Sequence, residues 1–212
     1  MDYELWLRLG TIGPLHYAPE IISNFRFHST SKSTVQAVSF WGEYLTLLEQ
    51  FPELKKLVSP TLLEEARRRI NVKAFLEHLY AEDPETGLKF LESALTGEVW
   101  PFGSPQEMAL RLIDHIGLTG RSLTNSPNLI QSCLGVVASL SNHKKSKILK
   151  RALLSYELMR QVFLGYEKGN WVQVRKHIWH GLTLDPSWLR NRGIWSILSQ
   201  AYMPVLPNFF RR

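Results

Sequence analysis

The sequence predicts a mainly α protein, a set of helical hairpins or a bundle with one short extended β segment near its N-terminus. Three observations carry this expectation. Apolar residues recur at helical spacing through most of the chain. Helix-start signals punctuate it at Ser59-Pro60, Asp83-Pro84 and Gly169-Asn170. Only residues 15–27 read as extended, with Ile21, Ile22 and the Phe25/Phe27 alternation favouring a strand.

Taken in order, Asp2 to Leu9 carries apolar Leu5, Trp6 and Leu9 and reads as the end of a helix, stopped by Gly10 and Gly13-Pro14. The extended segment follows, with a turn at Ala18-Pro19-Glu20. A lone strand makes no stable sheet, so its partners must lie elsewhere. Ser31 to Ser33 offer N-cap hydroxyls for a helix running toward Gln50, whose apolar stripe is Val38, Trp41, Tyr44/Leu45 and Leu48. Pro52 closes it. Ser59 caps the next helix, with Pro60 in its first turn, and Asp83-Pro84 starts another that ends near Gly97. A loop to Pro105 precedes a helix through Ile116. Gly117 and Gly120 then break the chain, and residues 118–128 are the most loop-like stretch. Three helical segments fill the remainder, at Lys147–Gly165, Trp171–Leu184 and Trp188–Tyr202. The Gly169-Asn170 turn and the Asp185-Pro186 stop around the second of these resemble one tetratricopeptide unit. An ordinary αα-hairpin accounts for them equally, because at least three units are needed for a solenoid.

Composition bounds the function. With 212 residues, 44% hydrophobic and 21% charged, the chain can bury a core without disulfides. Its single cysteine, Cys133, lies beside the apolar run 134–140 and reads as a buried, inert thiol. One cysteine fits a reducing compartment, and the expected location is cytoplasmic. No stretch reaches the length of a transmembrane span, and the acidic start Met1-Asp2-Tyr3-Glu4 is unlike a secretory signal. The net charge of +6 implies a mild pull toward anions such as nucleic acid, acidic lipid or phosphate. That charge reads as spread along the chain, densest from His143 to Arg151, where a solvated helix start explains it. Without an RNA-binding signature, no nucleic-acid partner is expected.

The familiar catalytic patterns are missing. The aspartates are Asp2, Asp83, Asp114 and Asp185, so no Asp-x-Asp pair exists to hold a metal diphosphate. There is no Gly-x-x-x-x-Gly-Lys-Ser/Thr loop, Gly-x-Gly-x-x-Gly, His-Glu-x-x-His or Gly-x-Ser-x-Gly. His177 and His180 share a helix face without an evident third ligand, so no metal site is expected there.

Two short segments remain: Asp2-Tyr3-Glu4-Leu5-Trp6-Leu7-Arg8-Leu9, and Phe25-Arg26-Phe27-His28-Ser29-Thr30-Ser31-Lys32-Ser33. In this order and spacing they resemble the end of the catalytic domain of family 2 glycosyltransferases, inverting enzymes of the GT-A fold. In that family a Glu-Asp pair opens a helix continuing in a Leu-Trp-Leu-Arg-like run, and a strand then leads to an Arg-x-His-x-x-Ser-like segment. Here Met1 stands where the Glu would be. Residues 184–192 also resemble the helical extension of some bacterial members. The resemblance implies that residues 1–35 are a remnant of the catalytic domain, its extended segment a remnant of the GT-A sheet. Residues 36–120 then form a helical region, and residues 121–212 a second one with the tetratricopeptide-like hairpin. It further implies Asp2 as the base that deprotonates the acceptor hydroxyl, and Arg26 and His28 as groups beside the donor diphosphate. Leu5 and Trp6 would pack the helix onto the sheet. The full-length family uses a nucleotide sugar and a divalent metal, Mg or Mn, held by an upstream half that this sequence lacks. The chain alone is therefore expected to be inactive in sugar transfer. A non-enzymatic helical adaptor, binding a protein partner through its C-terminal helices, is the alternative.

Overall fold

The computed structural model describes residues 2–14, 16, 37–51, 56–118 and 126–203. These form α1 (Asp2–Ile12), α2 (Ala37–Gln50), α3 (Pro60–Tyr80), α4 (Pro84–Ala94), α5 (Pro105–Leu118), α6 (Ser126–Ala138), α7 (His143–Glu167), α8 (Trp171–Leu184), a 3₁₀ turn (Pro186–Arg190) and α9 (Arg192–Tyr202). The protein is mainly helical, with no strand among the described residues. The expected strand at 15–27 lies outside them except for His16, as do the capping hydroxyls of Ser31 to Ser33 and the boundary near residue 120. The chain divides into two compact units, Met1–Phe102 and Gly103–Arg212.

In the first unit, α1 runs through Gly10 and stops only before Gly13-Pro14. A single glycine costs a helix about 1 kcal/mol, which does not end it, whereas proline offers no amide to continue the ladder. The start of α3 follows its cap chemistry. Ser59 Oγ accepts the Leu62 amide at 3.3 Å, and Pro60 fills a first-turn position that needs no donor. Arg67 to Arg69 at its middle pair with Glu49 of α2 and with Glu64 and Glu65 one turn earlier. The C-terminal half of α3 buries Val72, Ala74, Phe75, Leu76 and Leu79, and it packs chiefly on α4, which buries Leu91 and Ala94. Asp83 starts α4 by accepting the Thr86 amide at 3.1 Å, and its other oxygen lies 3.3 Å from His78 Nδ1.

In the second unit, α7 is the spine, packing on α5, α6 and α8. Asn142 caps it by accepting the Lys145 amide at 3.0 Å, so the helix begins at His143, a turn before the expected Lys147. The stretch expected to be loop-like gives way to α6 at Ser126. Ile130, Cys133, Leu134 and Val137 are buried there at spacings of three and four, which is the helical period. The α7–α8 hairpin turns at Gly169, whose φ of 65° suits the residue without a Cβ, and Asn170 caps α8 by accepting the Gln173 amide at 3.1 Å. A Cβ on Gly181 would stand 2.6 Å from Met159 Sδ, so this glycine lets α8 lie close against α7. Ser155 Oγ donates to the Gly181 carbonyl at 3.0 Å and accepts Trp188 Nε1 at 3.1 Å, tying the 3₁₀ turn to both helices. Met159, Val162, Val174, Ile178, Leu182, Ile194, Ile197, Leu198 and Ala201 make one core. The last expected helix, Trp188–Tyr202, is instead two pieces. Asn191 separates them, capping α9 by accepting the Gly193 amide at 2.9 Å.

Candidate functional site

Asp2 is the first residue of α1, while Arg26 and His28 lie outside the described residues, as does the Asp2 side chain. The helix that carries the Asp2 motif is well defined beyond it. Arg8 Nε donates to Glu4 Oε1 at 3.0 Å, one turn earlier, and this bond together with the guanidinium charge holds the Glu4 carboxyl below its ordinary value. Four of the apolar residues of α1 are exposed while Leu7 is partly buried. Leu5 and Leu9 are exposed, Trp6 is 56% exposed and Ile12 is 82% exposed. The extended segment expected to pair with this helix lies outside the described residues apart from His16, and Leu5, Trp6, Leu9 and Ile12 form an exposed apolar stripe on α1.

The two histidines of α8 differ. His177 is half-buried, and burial, then the neighbouring charges of Lys176 and His180, push its pKa below the ordinary imidazole value despite the opposing Glu157. His180 is exposed. No group of three or more His, Cys, Asp or Glu that could hold a metal occurs among the described residues. Cys133 is buried, and burial pushes its thiol up to about 12, so it is not a nucleophile near neutral pH. In the first unit, a cleft of about 510 Å³ lies among α2, α3 and α4, lined by residues including Glu64, Arg67, Asn71 and Lys89. Its carboxylate among the described residues, Glu64, is engaged by Arg68 at 3.1 Å. Among the described residues it brings together no acid–base pair of the kind that hydroxyl activation requires.

Two features of the second unit escaped the sequence reading. The first is charge. Residues 103–212 hold 15 Lys and Arg against 5 Asp and Glu, a balance of +10, while residues 1–102 hold 10 against 14, a balance of −4. The positive charge is therefore partitioned rather than spread, and counting each half separately would have found it. The second is the placement of the tryptophans. Trp171 and Trp188 are partly buried against the core, but Trp179 and Trp195 are 55% and 56% exposed. The ring centroids of Trp179 on α8 and Tyr202 on α9 are 5.9 Å apart. Arg175 Nη1 donates to the Ala201 carbonyl at 2.9 Å and Tyr202 Oη donates to the Arg175 carbonyl at 3.3 Å, so one flank of α8 and one flank of α9 form a common face.

No helix among the described residues is long and apolar enough to cross a membrane. No protein-family model, no curated protein and no solved structure matches the chain.

Proposed function

We propose that this chain is the C-terminal part of a family 2 glycosyltransferase, which transfers a sugar from a nucleotide-diphosphate donor to an acceptor hydroxyl. The observation that carries the reading is α1. The Asp-Tyr-Glu-Leu-Trp-Leu-Arg motif is helical, and its Leu5, Trp6, Leu9 and Ile12 stand exposed. An apolar stripe of this kind is the surface a helix buries when it docks on a sheet. In this reading Asp2 removes the proton of the acceptor hydroxyl, and Arg26 and His28 sit beside the donor diphosphate. The family's Mg or Mn and its nucleotide sugar belong to an upstream half. The residues of this chain do not fit the metal, since no Asp-x-Asp pair occurs. The helical regions 36–120 and 121–212 would then be an appendage of a cytoplasmic enzyme, a location in which Cys133 stays reduced.

The test is an immunoblot of source cells with an antibody raised against residues 145–212. A band well above 24.5 kDa is expected, and Asp2→Asn in that longer polypeptide should lower sugar transfer by roughly 10²–10⁴-fold. The purified 212-residue chain should transfer none. A band at 24.5 kDa, or full activity of the Asp2→Asn polypeptide, overturns the reading.

A helical adaptor is the second reading, favoured by the exposed Trp179 and Trp195 on the C-terminal helices. A 24.5 kDa band together with a protein partner lost on deletion of residues 145–212 would support it.

A further inference from the structure

The joint face of α8 and α9 combines exposed apolar bulk with an excess of positive charge. Val172, Arg175 and Trp179 follow one another on α8 at spacings of three and four, so they share one flank of that helix. Trp195 and Tyr202 are seven apart on α9, two turns along one flank, and Met203 follows. Contact between Trp179 and Tyr202 joins the two flanks. Val172, Trp179, Trp195, Tyr202 and Met203 are all exposed. Around them, residues 168–203 carry Lys168, Arg175, Lys176, Arg190 and Arg192. Asp185 is the one acidic residue in that span, and it is buried, with its carboxylate accepting the Ser187 amide at 3.0 Å. The neighbouring acids on α7 are Glu167, exposed beside Lys168, and Glu157, already paired with Arg160, so cations outnumber acids here among the described residues.

We propose that the second unit docks peripherally on an anionic lipid bilayer through this face. Trp179, Trp195 and Tyr202 would sit at the level of the headgroups, with Val172 and Met203 reaching the upper acyl region. Lys176, Arg190 and Arg192 would meet the lipid phosphates. The chemistry favours a bilayer over the other polyanions. Tryptophan and tyrosine combine an apolar ring with a polar tip, the combination that the membrane interface accommodates. Single-stranded nucleic acid also uses aromatic rings beside cations, but its bases stack on flat ring faces, which the aliphatic Val172 and Met203 do not offer. The indole N–H of Trp195 already donates to the Leu189 carbonyl at 2.8 Å, which leaves its ring as an apolar surface. Attraction supplied by basic residues near anionic lipid, combined with shallow burial of apolar groups, binds a protein reversibly without a spanning helix.

The test is co-sedimentation of the full 212-residue chain with vesicles of mixed phosphatidylglycerol and phosphatidylcholine, against vesicles of phosphatidylcholine alone. Binding is expected to the first and not the second, and to weaken as salt screens the charges. The double variant Trp179→Ser, Met203→Ser should lower the partition coefficient by about tenfold or more, since each removes a large apolar group from the contact. Far-UV circular dichroism checks that it still folds. The charge variant Lys176→Glu, Arg192→Glu should give a comparable loss and does not disturb the rings. Equal binding to both vesicle types, or undiminished binding by both variants, overturns the proposal. So does an oligonucleotide that binds the chain in preference to the vesicles and displaces them, which would assign the face to nucleic acid.

Discussion

Glu82 and Gly169 hold equivalent places, each the residue just beyond a helix cap, with φ of 59° and 65°. Each closes the same hydrogen-bonded end. After α3, the Asp83 amide donates to His78 O and the Glu82 amide to Leu79 O; after α7, the Asn170 amide donates to Gly165 O and the Gly169 amide to Tyr166 O. Left-handed backbone costs an L-residue about 1–2 kcal/mol that glycine does not incur. Glu82→Gly should therefore raise unfolding stability by about 1 kcal/mol, and Gly169→Ala should lower it by a similar amount. Urea denaturation followed by circular dichroism measures both, and changes of the same sign would refute the argument. Cys133 gives a second residue-level expectation. Its thiol moves from an ordinary 9.0 to about 12 on burial. Below pH 9 both folded and unfolded chains keep the proton, so the group contributes no pH dependence. Between pH 9 and 12 the unfolded chain loses the proton while the folded one retains it, so stability should fall across that window. Cys133→Ala should flatten that part of the stability–pH curve. In the native protein at pH 8, a thiol reagent should label Cys133 only on the timescale of unfolding.

At the scale of the element, the junction of α7 and α8 depends on one small residue. The Cβ position of Gly181 lies 2.6 Å from Met159 Sδ and 3.1 Å from Met159 Cγ, and Met159 is wholly buried. Alanine there can be met by a rotation of the flexible methionine, but a branched side chain cannot. Gly181→Val should cost about 1–3 kcal/mol, with Gly181→Ala milder, as measured by the same denaturation. A valine variant as stable as the parent would mean that the two helices can move apart freely. The elements also mark how far the sequence could be read. Ser59-Pro60, Asp83-Pro84 and Asn170 were legible because a cap is a contact between a side chain and an amide two or three residues on. The fold class followed for the same local reason. The α6 helix was missed although Ile130, Cys133, Leu134 and Val137 carry the helical period, because Gly135 and the β-branched Val136 and Val137 lower its propensity. Its exposed positions, among them Gln131 and Ser132, carry no charge to mark a polar face. Exposure of Trp179 and Trp195 was not legible at all. A large aromatic at helical spacing is the same signal whether a neighbouring helix covers it or not, and that depends on tertiary structure. Of the candidate site, the motif segment at Asp2 proved helical, while Arg26 and His28 fall outside the described residues.

For the whole molecule, the division of charge outweighs its total. A balance of +6 over 212 residues is modest, but +10 over residues 103–212 beside −4 over residues 1–102 sets the two units apart electrostatically. In the first unit, four of the seven Lys and Arg among the described residues are answered at short range: Arg8 by Glu4, Arg67 by Glu49, Arg68 by Glu64 and Arg69 by Glu65. In the second, Arg111 meets Glu107 and Arg160 meets Glu157, while Lys144, Lys147 and Lys150 along α7 are exposed in a unit with three times as many bases as acids. Like-charge repulsion opposes the compact state of such a unit, and salt weakens repulsion between surface charges over distances of about 10 Å at 0.1 M. Ion pairing in the first unit responds in the opposite sense, because screening weakens attraction there. Added sodium chloride should thus slow amide hydrogen exchange in α7 to α9 while leaving α3 and α4 unchanged or slightly faster. Mass-spectrometric exchange on the full chain resolves the two units in one experiment. Exchange in α7 to α9 that quickens with salt would show that attractive pairs, not the excess of bases, govern the second unit.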